Sequence, residues 1–130
     1  VSIPTAAAAM IIRNLNGEIL IQDHVKHNFL TCPIGGVEVD ESHSVAIMRE
    51  MREELGITIM DYTTIYIGDI NCGGQLVDTH IFELNSYLGT IRNNEPHKCR
   101  GLHWFSPAEL KSMMSSGTRI STTLQVYLNM

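Results

Sequence analysis

The stretch PIGGVEVDESHSVAIMREMREELGI, residues 33–57, gathers Glu38, Asp40, Glu41, Glu50, Glu53 and Glu54 around two arginines, Arg49 and Arg52. Its second half reads as a helix. Ser42 or Ser44 supplies an N-cap and Gly56 sits at the usual C-terminal stop, so the helix is predicted to run to about Leu55. Val45, Met48, Met51 or Arg52, and Leu55 recur at helical spacing and predict one apolar stripe. Glu50, Glu53 and Glu54 are three and four positions apart and are predicted to crowd another face, where like charges destabilise an isolated helix by about 0.2–0.5 kcal/mol per pair. Two readings of this face stand side by side. Arg49 and Arg52 neutralise it as surface ion pairs, or the carboxylates hold Mg²⁺ or Mn²⁺, hard cations that take oxygen ligands and bridge them to phosphate. Upstream, Ile34-Gly35-Gly36 reads as a loop whose backbone a ligand can approach closely.

Working outward, Asn16-Gly17 lies between AAAAMIIRNL and EILIQ and predicts a strand, tight turn and strand. The Ala-rich run from Ala6 to Ile12 has no basic stretch before it. It also stops at Arg13, short of the roughly 20 residues that span a bilayer, so it reads as a buried strand rather than a targeting or membrane segment. Residues 28–31 add a short strand. TTIYIGDI (63–70) and LVDTHIFELNSYLG (76–89) read as strands joined by the turn-forming NCGGQ, and GLHWF (101–105) as another. Ser106-Pro107-Ala108-Glu109 has the cap, first-turn proline and reciprocal glutamate of a helix start. A last helix is expected over about 121–128.

The chain has 130 residues, 44% hydrophobic and 18% charged, which predicts one soluble domain over 1–130 with its own core. A net charge of −5 argues against binding a nucleic-acid polymer through its phosphates, which takes a surplus of Lys and Arg. It leaves room for a small anionic ligand held through a divalent cation. Cys32, Cys72 and Cys99 form no CxxC pair and leave an odd thiol in any disulfide scheme, so reduced thiols in a cytoplasmic compartment are expected.

From Gly35 the chain reads glycine, five residues, Glu41, seven residues, then Arg49-Glu50-Met51-Arg52-Glu53-Glu54-Leu55-Gly56-Ile57. This resembles the signature of the Nudix (MutT-like) hydrolases, G-x5-E-x7-R-E-U-x-E-E-x-G-U with U apolar, at every defined position. Pro33-Ile34-Gly35-Gly36 stands where the family often has Pro-Gly-Gly, so Ile34 alters the loop while the signature glycine stays. The resemblance implies an α/β fold, the α/β/α sandwich with a mixed sheet between helices. It implies a divalent cation, Mg²⁺ or Mn²⁺, held by Glu50, Glu53 and Glu54 with the Gly35 carbonyl. It also implies that Glu41 pairs with Arg49 to orient them, and that the substrate is a small nucleotide. A homodimer is in keeping with the family.

A later segment, NNEPHKCRGLHWFSPAEL (93–110), resembles the E-P-x-K-C-E-x-W-x-W-F pattern of a subgroup that includes nucleoside triphosphate diphosphatases. Glu95, Pro96, Lys98, Cys99, Trp104 and Phe105 match. Arg100 replaces a glutamate and is a candidate phosphate contact, and Leu102 replaces the first tryptophan. The general base is therefore Glu50 of the box or Glu95 of this loop. The six histidines show no HxxxH spacing, so no zinc site is expected. His27 and Asn28 read as surface loop, with contact to base or phosphate as the alternative, and alternation along the strand offers His80 to the cleft. Trp104, Phe105, Met113 and Met114 read as core or gap-filling residues. The expected function is Mg²⁺-dependent hydrolysis of a nucleoside triphosphate to monophosphate and pyrophosphate. The alternatives are a Nudix hydrolase of ADP-ribose, FAD or a dinucleoside polyphosphate, and a non-catalytic nucleotide-binding module.

Overall fold

The Ala-rich run is the centre of the architecture because alanine lets layers approach a strand closely from both faces. The computed structural model describes residues 4–130. Strand β1 (Ala6–Ile11) is buried and lies between β4 (Ile34–Gly36), antiparallel to it, and β6 (Gln75–Leu88), parallel to it. Strand β5 (Thr58–Cys72) completes a four-stranded mixed sheet in the order β4-β1-β6-β5. A three-stranded antiparallel sheet, β3-β2-β7, is built from β2 (Ile19–His24), β3 (Phe29–Thr31) and β7 (Cys99–Phe105).

Helix α1 (His43–Leu55) covers one face, where Ala8, Met10, Leu20 and Phe82 meet Ala46, Ile47, Met51 and Leu55. Helices α2 (Pro107–Ser115) and α3 (Thr122–Leu128) cover the other, where Ala9, Ile11, Ile21 and Ile81 meet Leu110, Leu124 and Leu128. Burial on both faces explains why β1 is a continuous apolar run rather than an alternating one. The predicted α/β/α sandwich is therefore present.

Local signals explain most element ends. Ser42, not Ser44, caps α1 by accepting from Val45 N at 3.2 Å, and Gly56 ends it with φ of 72°. Ser106 and Glu109 form a reciprocal capping box on α2. The β5–β6 turn uses Gly73 and Gly74 at φ of 61° and 93°, the positive values a tight hairpin turn needs.

Four expectations are corrected. The Asn16-Gly17 turn forms, yet β1 and β2 diverge beyond it into different sheets, so the hairpin is limited to the Arg13–Ile19 bridge and the adjoining Leu20 N to Ile12 O bond. Ile34-Gly35-Gly36 is a strand paired with Ala9, Ala8 and Ala7, not a loop. The buried stripe of α1 is Ile47, Met51 and Leu55 together with Ala46, while Val45 is 52% exposed. Met51 and Leu55 of the predicted stripe are buried and Met48 is partly so, leaving Val45 outside it. Trp104 is 37% exposed on β7, the edge strand of its sheet, while Phe105 packs against the α2/α3 side of the core.

Candidate active site

Gly35 and Glu50 define the floor of the site. A Cβ built on Gly35 would lie 2.1 Å from Glu50 Cδ, so only glycine lets the Glu50 side chain lie on β4. Arg49 fastens strand to helix. Its Nε and Nη2 donate to the two oxygens of Glu41 at 2.7 and 2.9 Å, Nη1 donates to Glu50 Oε1 at 2.8 Å, and Nη2 donates to the Gly36 carbonyl at 3.1 Å. A two-pronged guanidinium–carboxylate contact fixes direction as well as distance. The Arg49 guanidinium, with the Glu38 backbone N–H, holds the Glu41 carboxyl down to about 2. Arg49 itself is held protonated by Glu41 first and Glu50 next.

The three box glutamates differ in setting. Glu54 is 8% exposed and accepts from Gln22 Nε2 at 2.8 Å, whereas the Glu53 side chain is half exposed and meets Arg49 Nη1 at 3.4 Å. Burial, reinforced by the hydrogen-bonded neighbour Glu50 and by Glu95, pushes the Glu54 carboxyl up to about 9. Glu50 and Glu54 line one cavity together, while Glu53 stands half exposed to one side.

Glu95 arrives from the loop between β6 and β7, which is tied to the end of α1. Arg92 N donates to Leu55 O at 3.1 Å and Asn94 N to Glu54 O at 3.0 Å. Asn93 Oδ1 accepts from Glu95 N, and Lys98 Nζ pairs with Glu95 Oε2 at 3.4 Å. Glu95 therefore lines a cavity of about 220 Å³ with Gln22, Gly35, Glu50, Glu54 and Lys98. A larger cleft of about 670 Å³ adjoins it, and His24, Ile34, Gly35 and Gly36 line both.

Several expected residues lie elsewhere than predicted. Arg100 does not line either cavity and is paired with Asp23 at 2.9 Å. His80 does not reach the cleft; it stacks on His43 with ring centroids 3.5 Å apart. His27 is part of the larger cleft, in an aromatic group with His24 and Phe29. Gln22 escaped the sequence reading, although a polar residue in the apolar strand ILIQ, two positions from buried Leu20 on one face, was a signal that something polar waits inside.

The described fold and the carboxylate–arginine cluster define a Nudix protein. The family model of the NUDIX domain matches residues 3–123, and the chain belongs to that family. It is 35% identical over 77 residues to the CTP pyrophosphohydrolase of Escherichia coli K12, an alignment covering 58% of this chain and 53% of the relative, so it matches about half the relative's length. Among solved structures, a MutT NUDIX hydrolase from Burkholderia pseudomallei shares the fold with a TM-score of 0.79, at 22% identity and 98% coverage of both chains. The E. coli ORF135 protein has a TM-score of 0.69 at 27% identity, covering 88% of this chain and 79% of its own. Among the described residues no helix is long and apolar enough to cross a membrane.

Proposed function

We propose that the protein is a Mg²⁺-dependent pyrophosphohydrolase that cleaves a nucleoside triphosphate to the monophosphate and pyrophosphate. The observation that carries this reading is a cavity lined by buried Glu54 together with Glu50 and Glu95, adjoining a larger open cleft. The donor set is all oxygen, which suits Mg²⁺ or Mn²⁺ rather than softer ions. Burial, reinforced by the neighbouring carboxylates Glu50 and Glu95, raises the Glu54 carboxyl, which is in keeping with a site short of positive charge. Glu50, Glu53 and Glu54, with the Gly35 carbonyl, are the proposed ligands. Bound there, a divalent cation would offset phosphate charge and lower the pKa of the attacking water.

The chain's own residues do the rest. Arg49, fixed by Glu41, keeps Glu50 and Glu53 on the β4 side of α1. Both Glu50 and Glu95 line the cavity; Glu95 is the proposed general base, because Glu50 is held at 2.8 Å by Arg49 and is assigned to the metal, whereas Glu95 has only the longer 3.4 Å contact with Lys98. The larger cleft has the volume of an ordinary ligand pocket and is where the nucleoside would sit. The E. coli relative's substrate makes CTP the first triphosphate to try. Cys32, Cys72 and Cys99 are free, in keeping with a reducing, cytoplasmic compartment.

The test is a Mg²⁺-dependent screen with product identification over normal and oxidised nucleoside triphosphates, ADP-ribose, FAD and dinucleoside polyphosphates. Pyrophosphate and monophosphate from a triphosphate are expected. Preference for a conjugate overturns the substrate, and no turnover across the panel overturns the enzymatic reading in favour of a binding module.

A further inference from the structure

Strand β6 carries Asp78 and His80 two positions apart, so both side chains leave the same face of the sheet. That face is the one α1 covers. The helix begins at His43, and its ring lies nearly parallel to that of His80, at 8° and 3.5 Å between centroids. His43 Nε2 is 3.0 Å from the Asp78 carbonyl oxygen and 3.7 Å from its Oδ2. One donor atom from each of His43, Asp78 and His80 lies within 4.8 Å of the other two, the one such group among the described residues.

The chemistry of this trio differs from that of the box. Two imidazoles and one carboxylate suit Zn²⁺ and its first-row neighbours, whereas Mg²⁺ prefers oxygen alone. Zinc bonds of about 2.0–2.1 Å in tetrahedral geometry set donor atoms about 3.3 Å apart. The stacked rings aim their lone pairs along parallel planes, so closing the trio on an ion requires one imidazole to turn out of the stack and His43 to bind through Nδ1 or give up its Nε2 contact with the Asp78 carbonyl. His43 is mostly covered, His80 is half-buried and Asp78 is exposed, which leaves a solvent-side entry. The location is also separate from the box. Ala8 of β1 pairs with Gly35 on one side and His80 on the other, so His80 and Gly35 are two strand spacings apart, about 10 Å. Along α1, His43 and Glu50 are seven residues apart, again about 10 Å. The helix therefore spans the sheet with a carboxylate centre over β4 and an imidazole centre over β6.

We propose that His43, Asp78 and His80 form a second metal site, selective for Zn²⁺-like ions over Mg²⁺, that clasps the first turn of α1 to β6. The site does not depend on the catalytic reading.

Zn²⁺ titration by calorimetry in saturating Mg²⁺ tests it, because Mg²⁺ masks the oxygen-only box. One Zn²⁺ per chain is expected for the wild type. Loss of a partner that merely orients a ligand typically costs about 10–100-fold in metal affinity, so His43→Ala, Asp78→Asn and His80→Ala should each weaken binding at least tenfold. Unchanged Zn²⁺ affinity in His80→Ala, or displacement of the ion by Mg²⁺, overturns the proposal. Should the variants fail to fold, imidazole nitrogen NMR shifts of the wild type decide. Zn²⁺-induced shifts at His43 and His80 support the site, and shifts confined to other histidines overturn it.

Discussion

Gly35→Ala is the sharpest perturbation the site offers, because it adds one methyl group where the backbone leaves no room. The new Cβ would stand 2.1 Å from Glu50 Cδ, 2.4 Å from Cγ and 2.4 Å from Oε1. Restoring the 3.4 Å of ordinary contact moves the Glu50 carboxyl by about 1.3 Å, since β4 is held by β1 on one side and by Arg49 on the other. Overpacking of this kind typically costs about 1–3 kcal/mol of stability. A misplacement of about 1 Å at a reacting centre can cost about 100-fold in rate. The expected outcome is a folded protein with a modestly lower Tm and kcat down by about two orders of magnitude on whichever substrate the screen identifies. Gly36→Ala is the matched control, since its Cβ would meet only Pro4, at 3.2 Å. If Gly35→Ala keeps wild-type kcat and Tm, Glu50 does not need its seat on β4 and the reasoning fails.

Glu53→Gln removes one charge while keeping shape at a half-exposed position, so activity is expected to fall by orders of magnitude with Tm almost unchanged; wild-type turnover would remove Glu53 from the metal ligands. Glu95→Gln is expected to lose the base-dependent limb of the pH–rate profile, and retention of that limb moves the base to Glu50. Without divalent cations, Glu54 makes stability fall as pH rises. Its folded pKa, about 9, lies above the ordinary 4.5, so the folded state holds the extra proton between these values and the contribution is lost as pH climbs through 9. Thermal melts with chelator from pH 5 to 9.5 should show this decline, flattened in Glu54→Gln; an equal decline in the variant refutes the assignment. Glu41 runs oppositely, its contribution present above 4.5 and lost as pH falls toward about 2, so Arg49→Gln should bring acid unfolding to higher pH in the same melts.

What the sequence revealed, and what it hid, follows from where information is local. Caps, the Gly73-Gly74 turn and the box spacing are decided by neighbouring residues, and each was legible. The separation of β1 from β2 into different sheets was not, because a tight turn specifies the reversal and not which partners the strands choose beyond it. Nor was the inequality of the box glutamates. A face assigned by helical spacing says which residues are neighbours, but burial depends on how the helix is turned on the sheet. Glu54 comes seven residues after Ile47 and beside Leu55, on the covered side. The His43–Asp78–His80 group was hidden for a different reason: a search for paired histidines on one helix passes over the short Asp-Thr-His run on a strand, whose third donor comes from 35 residues upstream.

The opening imbalance of charge now has a structural account. Arg49 is shared among Glu38, Glu41, Glu50 and Glu53, and Arg52 contributes no ion pair among the described contacts of this cluster. One guanidinium cannot neutralise four carboxylates, and burial, with Glu50 and Glu95 nearby, raises the Glu54 carboxyl as well. That arrangement is poor design for a helix surface and sensible for a ligand site. On the proposed metal-bound reading, a divalent ion would give Glu54 a partner for its charge, and its binding would release a proton. If the proposed cation binds there, a chain of net charge −5 would act on an anionic nucleotide without a basic patch. The same logic explains why the arginine is committed to Glu41. With its Nε and Nη2 fixed on that carboxylate, Arg49 positions Glu50 through Nη1 and leaves the oxygens facing the cavity free of a competing guanidinium.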